Sequence, residues 1–461
     1  MSSILAIDIG SSKVCALIAR WQDETLQLMG SGIAKSQGLK KGSIVNIELA
    51  SRAIKNVVAD ARHQAGVEPD RAIISVSGAY ARSVNSYGIA NIPTKEITVK
   101  DVNRAMQTAL YNANIPADYE ILHALPYNFK VDDQQNIQDP VGMTGGRLEA
   151  SVHIVIAQKS ALENLRKTVH SAGVEIDNMV LSGYAASIAV LSDDEKDLGV
   201  CVIDIGGSTS DMVIHYGNAP RYNDFLAVGG SHITGDLSMA LHTPPSVAER
   251  VKIDHGSLSS HSGNELEIPK IGNENETQQV SLEMVSAVVY ARMEETLMIL
   301  SRQLDKSHFK NNLGAGIVIT GGAAKHEGLQ EMAAPIFDNL PVRIAKPKGM
   351  AGLLESLRDP AFAVVLGLVR YGAGEYTLYE IDSNKLLRTR FRNQNRENVE
   401  EAMDESSVRV REIVQPAKQS GVSEKTTEEK ASIADIMMAE PRAEGVSEWW
   451  QKFWRRLSQI F

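Results

Sequence analysis

Two short segments of the chain carry the same acidic, glycine-rich pattern. AIDIGSSKVCALI (6–18) and VIDIGGSTSDMVI (202–214) each read as a strand, a tight turn and a second strand, with Asp8 in register with Asp204 and Gly10 with Gly206. Glycines let several backbone N–H groups approach a bulky anion, and neighbouring hydroxyl groups add further donors. The pattern therefore predicts two turns that bind phosphate groups.

The aspartates of these hairpins need a different partner, because a carboxylate and a phosphate repel each other. Mg²⁺ prefers oxygen ligands and retains several of its waters, so Asp8 and Asp204 are expected to hold the water shell of a Mg²⁺ ion. A single turn of this kind is more often a plain β-hairpin. Two of them in register predict a pair that binds the phosphates of one nucleotide from opposite sides.

A third glycine-rich turn lies beyond the second hairpin. GIVITGGAAKHEGL (316–329) reads as a strand, a Gly-Gly turn and a helix. The three motifs, DIGSS, DIGGSTSD and ITGGAA, resemble in type and order the two phosphate motifs and the adenosine motif of the actin/DnaK-type ATPase superfamily. The resemblance implies a duplicated actin-like ATPase fold with two RNase H-like halves, and Mg²⁺ and ATP as its ligands.

The resemblance also implies which residues surround the nucleotide. Glu249 and Lys252 would reach the ribose and adenine, and the segment from Gly229 would bring a helix N-terminus, which favours anions, toward the phosphates. The residues expected to bind the cofactor are Asp8, Gly10, Ser11, Ser12, Lys13, Asp204, Gly206, Gly207, Ser208, Thr209, Asp211, Gly229, Gly230, Glu249, Lys252, Gly321, Gly322 and Ala323. Asp8 and Asp204 are in addition the expected metal-binding residues.

Hydrolysis is a separate question from binding. Related ATPases often carry Glu or Gln at the start of the first interdomain connector, where it orients the attacking water, whereas this chain has Ser182 and Gly183 near that point. Without such a group, positioning of the water is incomplete. We expect tight ATP binding with weak or no hydrolysis.

The elements that would position these residues alternate between strands and helices up to about residue 380, which predicts an α/β protein. Apolar runs predict strands at 72–78, 151–157, 199–206 and 315–322, and a spacing near 3.6 residues predicts helices at 47–66 and 281–305. The resemblance implies that helices at 184–191 and 360–369 are the two interdomain connectors.

Composition narrows the possible classes of protein. At 461 residues and 43% hydrophobic, the chain can form two to four compact units. A net charge of −10 argues against nucleic acid as a partner. The two cysteines lie in apolar surroundings, and CxxC and HExxH motifs are absent, so disulfides and a transition-metal site are not expected. The sequence contains no signal peptide or apolar spanning segment, which predicts a cytosolic body.

The composition changes at about residue 384. Residues 384–445 are polar, charged and poor in aromatic residues, and such sequence is expected to form a disordered linker. The end of the chain, VSEWWQKFWRRLSQIF (446–461), is different. On a helical wheel its apolar residues fall within an arc of about 140°.

This amphipathic pattern predicts a helix that lies in a membrane interface. Three of the four tryptophans are here, next to basic residues, which is typical of interfacial helices. The expected membrane contacts are Trp449, Trp450, Phe453, Trp454, Arg455, Arg456, Leu457 and Phe461, with an anionic membrane surface as the partner. Docking of this helix on the protein's own core is the alternative.

An actin-like core with a polar linker and an amphipathic C-terminus resembles the FtsA family of bacterial cell-division proteins. ALPYNFKVDD (124–133), within 86–158, is similar to the subdomain 1C that is inserted in this family. The resemblance implies head-to-tail polymerisation through 1C, binding of the FtsZ C-terminal peptide by subdomain 2B with Arg292 as the candidate contact, recruitment of other division proteins, and a peripheral location on the cytoplasmic face of the inner membrane at the septum.

The same resemblance implies the division of the chain into domains. The expected ranges are 1–84 and 160–195 for subdomain 1A, 85–159 for 1C, 196–228 and 310–383 for 2A, 229–309 for 2B, 384–445 for the linker and 446–461 for the membrane helix.

Three other interpretations remain open at this stage. A pilus-assembly ATPase of the PilM type has a similar core but needs no Trp-rich anchor. A sugar or acetate kinase needs a general base beside the acceptor hydroxyl, and no carboxylate motif outside the phosphate hairpins suits that role. A chaperone needs a peptide-binding β-domain, which residues beyond 380 do not resemble.

Overall fold

The computed structural model describes residues 3–22, 25–259 and 264–389. The chain divides into two units, Met1–Val408 and Arg409–Phe461, and all of the described residues belong to the first. The linker and membrane helix expected at 384–445 and 446–461 therefore lie, from residue 390 onward, outside the described residues.

The described strands, in chain order, are β1 (Ser3–Ile9), β2 (Lys13–Gln22), β3 (Thr25–Lys35), β4 (Leu39–Lys40), β5 (Ser43–Ile44), β6 (Arg71–Val76), β7 (Ala81–Asn91), β8 (Tyr119–Val131), β9 (Gln134–Ile137), β10 (Arg147–Gln158), β11 (Glu175–Leu181), β12 (Val200–Ile205), β13 (Ser210–Tyr216), β14 (Ala219–Leu226), β15 (Glu265–Lys270), β16 (Asn273–Ser281), β17 (Gly316–Thr320), β18 (Val342–Ile344), β19 (Tyr379–Ile381) and β20 (Leu387–Thr389). The α-helices are α1 (Ile47–Ala65), α2 (Val99–Asn112), α3 (Lys159–Ser171), α4 (Ser182–Val190), α5 (Asp193–Leu198), α6 (Gly230–Ala240), α7 (Pro245–His255), α8 (Leu282–Lys306), α9 (Leu329–Ile336) and α10 (Ala363–Gly372). No helix in these ranges is both long and apolar enough to cross a membrane.

Two five-stranded sheets have the same topology. The first has the order β3-β2-β1-β6-β11 and the second the order β14-β13-β12-β17-β18. In each sheet three antiparallel strands that follow one another in sequence are extended by two parallel strands. The parallel additions require crossover connections, which α1 and α3 provide in the first half and α8 and α9 in the second. The duplication predicted from the two hairpins is therefore present in the backbone topology.

Local sequence explains where these helices begin and end. Before α1, the side chain of Asn46 accepts a hydrogen bond from the N–H of Leu49, and after α1, Gly66 adopts a left-handed conformation with φ of 65°. Helix α8 begins after Ser281, whose hydroxyl accepts from the N–H of Glu283. The helices predicted at 47–66 and 281–305 are thus confirmed to within a residue or so at each end.

A third sheet lies in the region inserted into the first half. Its order is β20-β19-β8-β10-β7, with β9 paired to β8, and α2 packs on it through apolar residues such as Val102 and Met106. β19 and β20 come from the far end of the described chain, after α10, and β19 pairs with β8. Residues 310–383 are expected in the second half, whereas the last part of this range joins the inserted region.

The two helices expected as interdomain connectors, α4 and α10, lie in the core of the first half. All residues of α4 after Ser182 are buried, as are the apolar residues of α10, and the two helices pack on each other. Both belong to the same hydrophobic core as β1, β2 and α1. The second half has its own core between its sheet and helices α6 to α9. The connectors predicted at 184–191 and 360–369 are displaced by a few residues, to α4 and α10.

Candidate nucleotide-binding site

The two hairpin turns have the same hydrogen bonding. In the turn between β1 and β2 the N–H of Gly10 donates to the carbonyl of Lys13 at 3.1 Å, and in the turn between β12 and β13 the N–H of Gly206 donates to the carbonyl of Thr209 at 2.8 Å. Asp8 and Asp204 occupy equivalent positions one residue before the end of their strands, two residues before these glycines. The sequence repeat therefore corresponds to a repeat in three dimensions.

The two turns also lie against each other. A Cβ atom built on Gly207 would be 2.7 Å from the Cβ of Ser12, so a larger residue at position 207 would push the turns apart. The third motif packs against the end of β12, next to the second turn. Gly321 has φ of 94°, and a Cβ there would lie 2.3 Å from Asp204 Oδ1, so both its conformation and its contact with the carboxylate require glycine.

A cavity of about 770 Å³ opens between these elements. Most of the residues expected to bind the cofactor line it: Asp8, Gly10, Ser11, Ser12, Lys13, Asp204, Gly206, Gly207, Thr209, Asp211, Gly230, Glu249, Lys252, Gly321, Gly322 and Ala323. Ser208 and Gly229 do not line it. The Ser208 hydroxyl is 3.1 Å from that of Ser231, and Gly229 packs behind the second turn, where a Cβ would lie 2.6 Å from the Gly206 carbonyl oxygen.

Three of the carboxylates that line the cavity are buried. Burial raises the pKa of Asp204 to about 7, and the charge of Asp8 adds to the shift. Burial and the charge of Asp204 raise the pKa of Asp211 to about 8, although the N–H of Gly78 donates to it. Burial also raises the pKa of Asp8, against the opposing effects of Lys13 and of Ser75, whose hydroxyl donates to Asp8 at 2.9 Å.

Such a cluster fits a hydrated divalent cation. Adjacent ionised carboxylates repel one another, and a cation nearby stabilises their charged forms. The described residues contain no group of three or more His, Cys, Asp or Glu side chains arranged to bind a metal ion directly. The glycine turns and hydroxyl groups beside the carboxylates are the donors that a polyphosphate requires. The residues present therefore suit Mg²⁺ that is bound through water and phosphate oxygens.

Lys13 joins the first hairpin to the second connector. Its ammonium group donates to the carbonyl of Ala361 and lies 4.3 Å from the centre of the Phe362 ring. Ala361 and Phe362 directly precede α10. The Lys13 ammonium group therefore links the first hairpin to the residues that directly precede α10.

The N-terminus of α6 differs from the expectation. The N–H groups of Gly230 and Ser231 donate to the carbonyls of Gly206 and Gly207, at 3.0 and 2.6 Å, and that of His232 donates to Gly229. The first donors of the helix therefore bind the second hairpin turn rather than pointing into the cavity. Their effect is to fix that turn, while the helix dipole still favours negative charge nearby.

Glu249 and Lys252 form a compact ion pair on α7. The Lys252 ammonium donates to Glu249 Oε2 at 2.7 Å, to the Thr234 hydroxyl at 2.9 Å and to the Gly230 carbonyl at 3.1 Å. Burial acts to raise the pKa of Glu249, but hydrogen bonds from Lys252 and Thr234 outweigh it and lower that pKa. Lys252 thereby links α7 to the first turns of α6.

The start of the first connector carries no carboxylate or amide side chain. Ser182, the first residue of α4, lines the cavity and donates its hydroxyl to the carbonyl of Val76 at 3.0 Å. A Cβ on Gly183 would lie 3.1 Å from the Cβ of Asp211. The hydroxyl proton of Ser182 is therefore already engaged, and Asp211 is the carboxylate nearest to this end of the connector.

Arg292, the expected partner contact, points toward its own domain. Its guanidinium donates to both carboxylate oxygens of Asp236, at 2.5 and 3.0 Å, and to Glu295 at 2.5 Å. Burial acts to lower the pKa of Arg292, but the hydrogen bond and charge of Asp236 outweigh it and raise that pKa. The side chain connects α8 to α6, and its contact with FtsZ stays a prediction.

Several residues that line the cavity were not predicted from the sequence. They include Ser77 and Gly42 in the first half, and Ile253, Gly256, Lys325 and His326 at the other end. His326 follows the adenosine motif within the quoted segment, so its position was available from the sequence. The contribution of Ser77 depends on β6 being parallel to β1, which no local pattern indicates.

Comparison with known proteins identifies close relatives. Residues 78–156 match the family model described as "SHS2 domain inserted in FTSA", and residues 201–367 match that described as "Cell division protein FtsA". The chain is 41% identical over 418 residues to the cell division protein FtsA of Helicobacter pylori strain J99, which covers 84% of this chain and 85% of that protein. It is 36% identical over 373 residues to FtsA of Pseudomonas aeruginosa, which covers 80% of this chain and 89% of that protein.

Solved structures agree on the fold. A chain of the "PilM-PilN type IV pilus biogenesis complex" matches with a TM-score of 0.58 and 17% identity, over 80% of this chain and 98% of that one. At this identity the likeness concerns the fold alone. Together with the family matches and the two equivalent sheets, it confirms the predicted fold class, a duplicated actin-like α/β core with an inserted domain.

Proposed function

The chain belongs to the FtsA family of cell division proteins, and from that premise we propose that it is an ATP-binding, polymerising tether that holds FtsZ filaments at the cytoplasmic membrane. The pilus-assembly alternative is not favoured, because the match to the PilM–PilN structure has 17% identity whereas the FtsA relatives are 31% to 41% identical. In this role the protein is a peripheral protein on the cytoplasmic face of the inner membrane at the septum, where it also recruits other division proteins.

The observation that carries the nucleotide part of the proposal is the pair of matched turns around one cavity. Gly10 and Gly206 make the same turn hydrogen bond, and Ser12 and Gly207 are in contact across the boundary between the halves. Backbone donors from both halves are thereby available to one polyphosphate. Binding would stabilise one relative position of the two halves, since each contributes half of the phosphate contacts.

Within this site the roles follow from chemistry. Asp8 and Asp204 hold the waters of Mg²⁺, which supplies charge neutralisation of the phosphates when it is bound. The hydroxyl groups of Ser11, Ser12 and Thr209 donate hydrogen bonds to phosphate oxygens. Glu249 and Lys252, which are already paired with each other, border the ribose and base. Asp211 is held between Gly78 and Gly183, next to the phosphates.

Hydrolysis by this site is proposed to be slow. The hydroxyl of Ser182 donates to a backbone carbonyl, and Gly183 has no side chain, so neither is free to orient water. Asp211 is a base only when it is ionised, and burial opposes its ionisation. A turnover in the range of unassisted switch NTPases, on the order of 10⁻⁴ to 10⁻² s⁻¹, is expected.

The FtsZ peptide is proposed to bind in a groove on the second half. Tyr290, Glu294, Met298 and Arg302 recur at every fourth position of α8 and form one stripe along it. The stripe faces α9 across a cavity of about 530 Å³, to which Met332 and Pro335 also contribute. Tyr290 and Met298 are exposed although they are large and apolar, at 42% and 45%. Arg302 therefore replaces Arg292 as our preferred basic contact.

Membrane attachment is proposed to reside in residues 446–461, which lie outside the described residues. The test is co-sedimentation of the full chain with liposomes that contain anionic lipid, with Mg²⁺ and ATP present. A chain that ends at Gly445 is expected to remain in the supernatant, as is a variant with Trp449, Trp450 and Trp454 replaced by alanine. Trp21→Ala is the matched control, because Trp21 is a partly exposed tryptophan of the body, at 38%. Equal sedimentation of the full and shortened chains would overturn the tether.

A further inference from the structure

One end of the cavity is built from two segments that lead away from the phosphate-type turns. Gly321 contacts Asp204, and the 3₁₀ turn Gly322–Lys325 and then His326 follow it. On the opposite wall Lys252 contacts Gly230 beside the second hairpin, and Gly256 comes four residues later at the end of α7. Four residues of helix advance about 6 Å. His326 and Gly256 each follow, a few residues later in the chain, a residue that contacts the second hairpin or the start of α6 beside it.

A hydrogen bond joins these two walls. Nδ1 of His326 is bonded to the backbone carbonyl of Gly256. A carbonyl oxygen only accepts, so Nδ1 carries the proton of this bond, and in the neutral ring Nε2 is then an acceptor. Burial, helped by the charge of Lys252, lowers the pKa of His326 against the opposing effects of Gly256 and Glu249, and so favours the neutral ring.

The other ring nitrogen is available to a ligand. His326 lines the cavity, and among the described residues Nε2 has no hydrogen-bond partner. Ile253 lines the same end of the cavity and is 69% exposed, which provides an apolar surface for a planar ring. This end of the cavity therefore combines an apolar surface with one hydrogen-bond acceptor of fixed tautomer.

This arrangement matches one purine better than another. Adenine carries an amino group at its 6 position, which donates, whereas guanine and hypoxanthine carry a carbonyl oxygen there, which only accepts. We propose that His326 is the specificity-determining residue of the site, whose Nε2 accepts a hydrogen bond from the 6-amino group of adenine and disfavours 6-oxopurines. The inference rests on the proposed function, since it assumes that a nucleoside triphosphate binds in this cavity.

The experiment compares Mg²⁺ complexes of ATP and of inosine triphosphate, whose bases differ at the 6 position and in the proton that the 6-oxo base carries on N1. Affinities of the nucleotide-free full chain are measured by isothermal titration calorimetry at pH 7.5. The wild-type chain is expected to bind ATP about 10-fold more tightly than inosine triphosphate, the effect of one hydrogen bond exchanged for an acceptor–acceptor contact. In His326→Phe, which keeps a ring but has no acceptor, the ratio is expected to fall to about 2-fold or less.

Controls separate this inference from the function on which it rests. His63→Phe changes an exposed histidine of α1 and is expected to keep the wild-type ratio. A wild-type chain that binds the two nucleotides equally would overturn the inference, as would His326→Phe with an unchanged ratio, and both results leave the proposed function standing. A wild-type chain that binds neither nucleotide would overturn the proposed function, and the inference with it. The thermal unfolding temperature of each variant shows whether it is folded.

Discussion

The chemistry of the cavity depends on three carboxylates that are buried in close proximity. Asp8, Asp204 and Asp211 are each less than 10% exposed, and Lys13 is the cation whose charge acts to lower the pKa of Asp8 and of Asp204. In the absence of a bound cation, ionising all three is unfavourable because of burial and mutual repulsion. The repulsion between these carboxylates therefore destabilises the ligand-free site, and a bound divalent cation would reduce that repulsion.

This destabilisation predicts how stability depends on pH. The pKa of Asp211 is about 8 in the folded protein and near 3.8 in the unfolded chain, so the folded state binds the extra proton between those values. The contribution of Asp211 to the free energy of unfolding is then most favourable below about pH 4, and it becomes less favourable as pH rises from about 4 to about 8. Asp211→Asn removes this contribution, and in nucleotide-free protein with EDTA we expect it to raise the unfolding temperature by about 2–4 °C at pH 8 and by much less at pH 5.

Asp60→Asn is the control for this comparison, because Asp60 is an exposed carboxylate on α1. Thermal unfolding is followed between pH 5 and pH 8.5 in the three proteins. Parallel curves for wild type and Asp211→Asn would show that the buried carboxyl does not titrate as described.

Some residues of the site were predicted from the sequence and others were not. The hairpin residues were predicted because their pattern is local and occurs twice. The pairing of Arg292 with Asp236 was not, because 56 residues separate the two and neither position has a distinguishing neighbour. Gly229 was assigned to the ligand, although its backbone supports the turn from behind.

At the scale of elements, a buried carboxylate joins the inserted sheet to both connectors. Glu380 on β19 is fully buried, and its carboxylate is bonded to His123 of β8 at 2.7 Å, to Tyr371 of α10 at 2.8 Å and to Tyr184 of α4 at 3.2 Å. The other nitrogen of His123 accepts from the N–H of Leu181, so the nitrogen that faces Glu380 carries a proton. Three elements, β8, α10 and α4, are therefore bonded to one carboxylate on a fourth, β19.

Removing that acceptor is expected to be costly. Glu380→Ala leaves the His123, Tyr184 and Tyr371 donors without a partner in the core, which should lower the free energy of unfolding by about 3–5 kcal/mol. Glu380→Gln keeps the shape and one acceptor oxygen and should cost about 1–3 kcal/mol. Equilibrium urea unfolding measures both. Glu175→Ala, at a carboxylate whose side chain is 66% exposed, is the control, and a similar loss in all three variants would contradict the account.

The groove beside α8 gives a second prediction at this scale. Met298→Glu is expected to weaken binding of a fluorescent FtsZ C-terminal peptide at least about 10-fold, because it replaces an exposed apolar side chain of the groove with a second negative charge next to Glu294. Met239→Glu changes a methionine of α6 that is 69% exposed and lies outside the groove lining. Fluorescence anisotropy measures both. Equal affinity in the wild type and Met298→Glu would place the peptide elsewhere.

Elements were predicted from sequence where the signal is periodic and continuous. The 19-residue helix α1 and the 25-residue helix α8 have such signals and defined caps. The short strands β19 and β20, of three residues each, do not, and their pairing with the inserted sheet depends on contacts with residues about 250 positions earlier. The domain boundary near residue 383 could not be predicted for that reason.

At the scale of the whole molecule, the duplication explains why two halves share one site. Each half places an aspartate and a glycine turn at the end of its first strand, and these ends meet at the cavity. A single copy of the fold would present half of the phosphate contacts.

The central claim is that matched turns from both halves bind one magnesium–nucleotide complex, and titration of ATP into nucleotide-free protein with Mg²⁺ tests it most directly. Asp204→Ala is expected to weaken ATP binding at least about 100-fold, and Asp8→Ala by a similar factor, because each removes half of the carboxylate support for the cation. Asp60→Ala is expected to bind as the wild type does. Asp204→Ala or Asp8→Ala with wild-type affinity would contradict the claim.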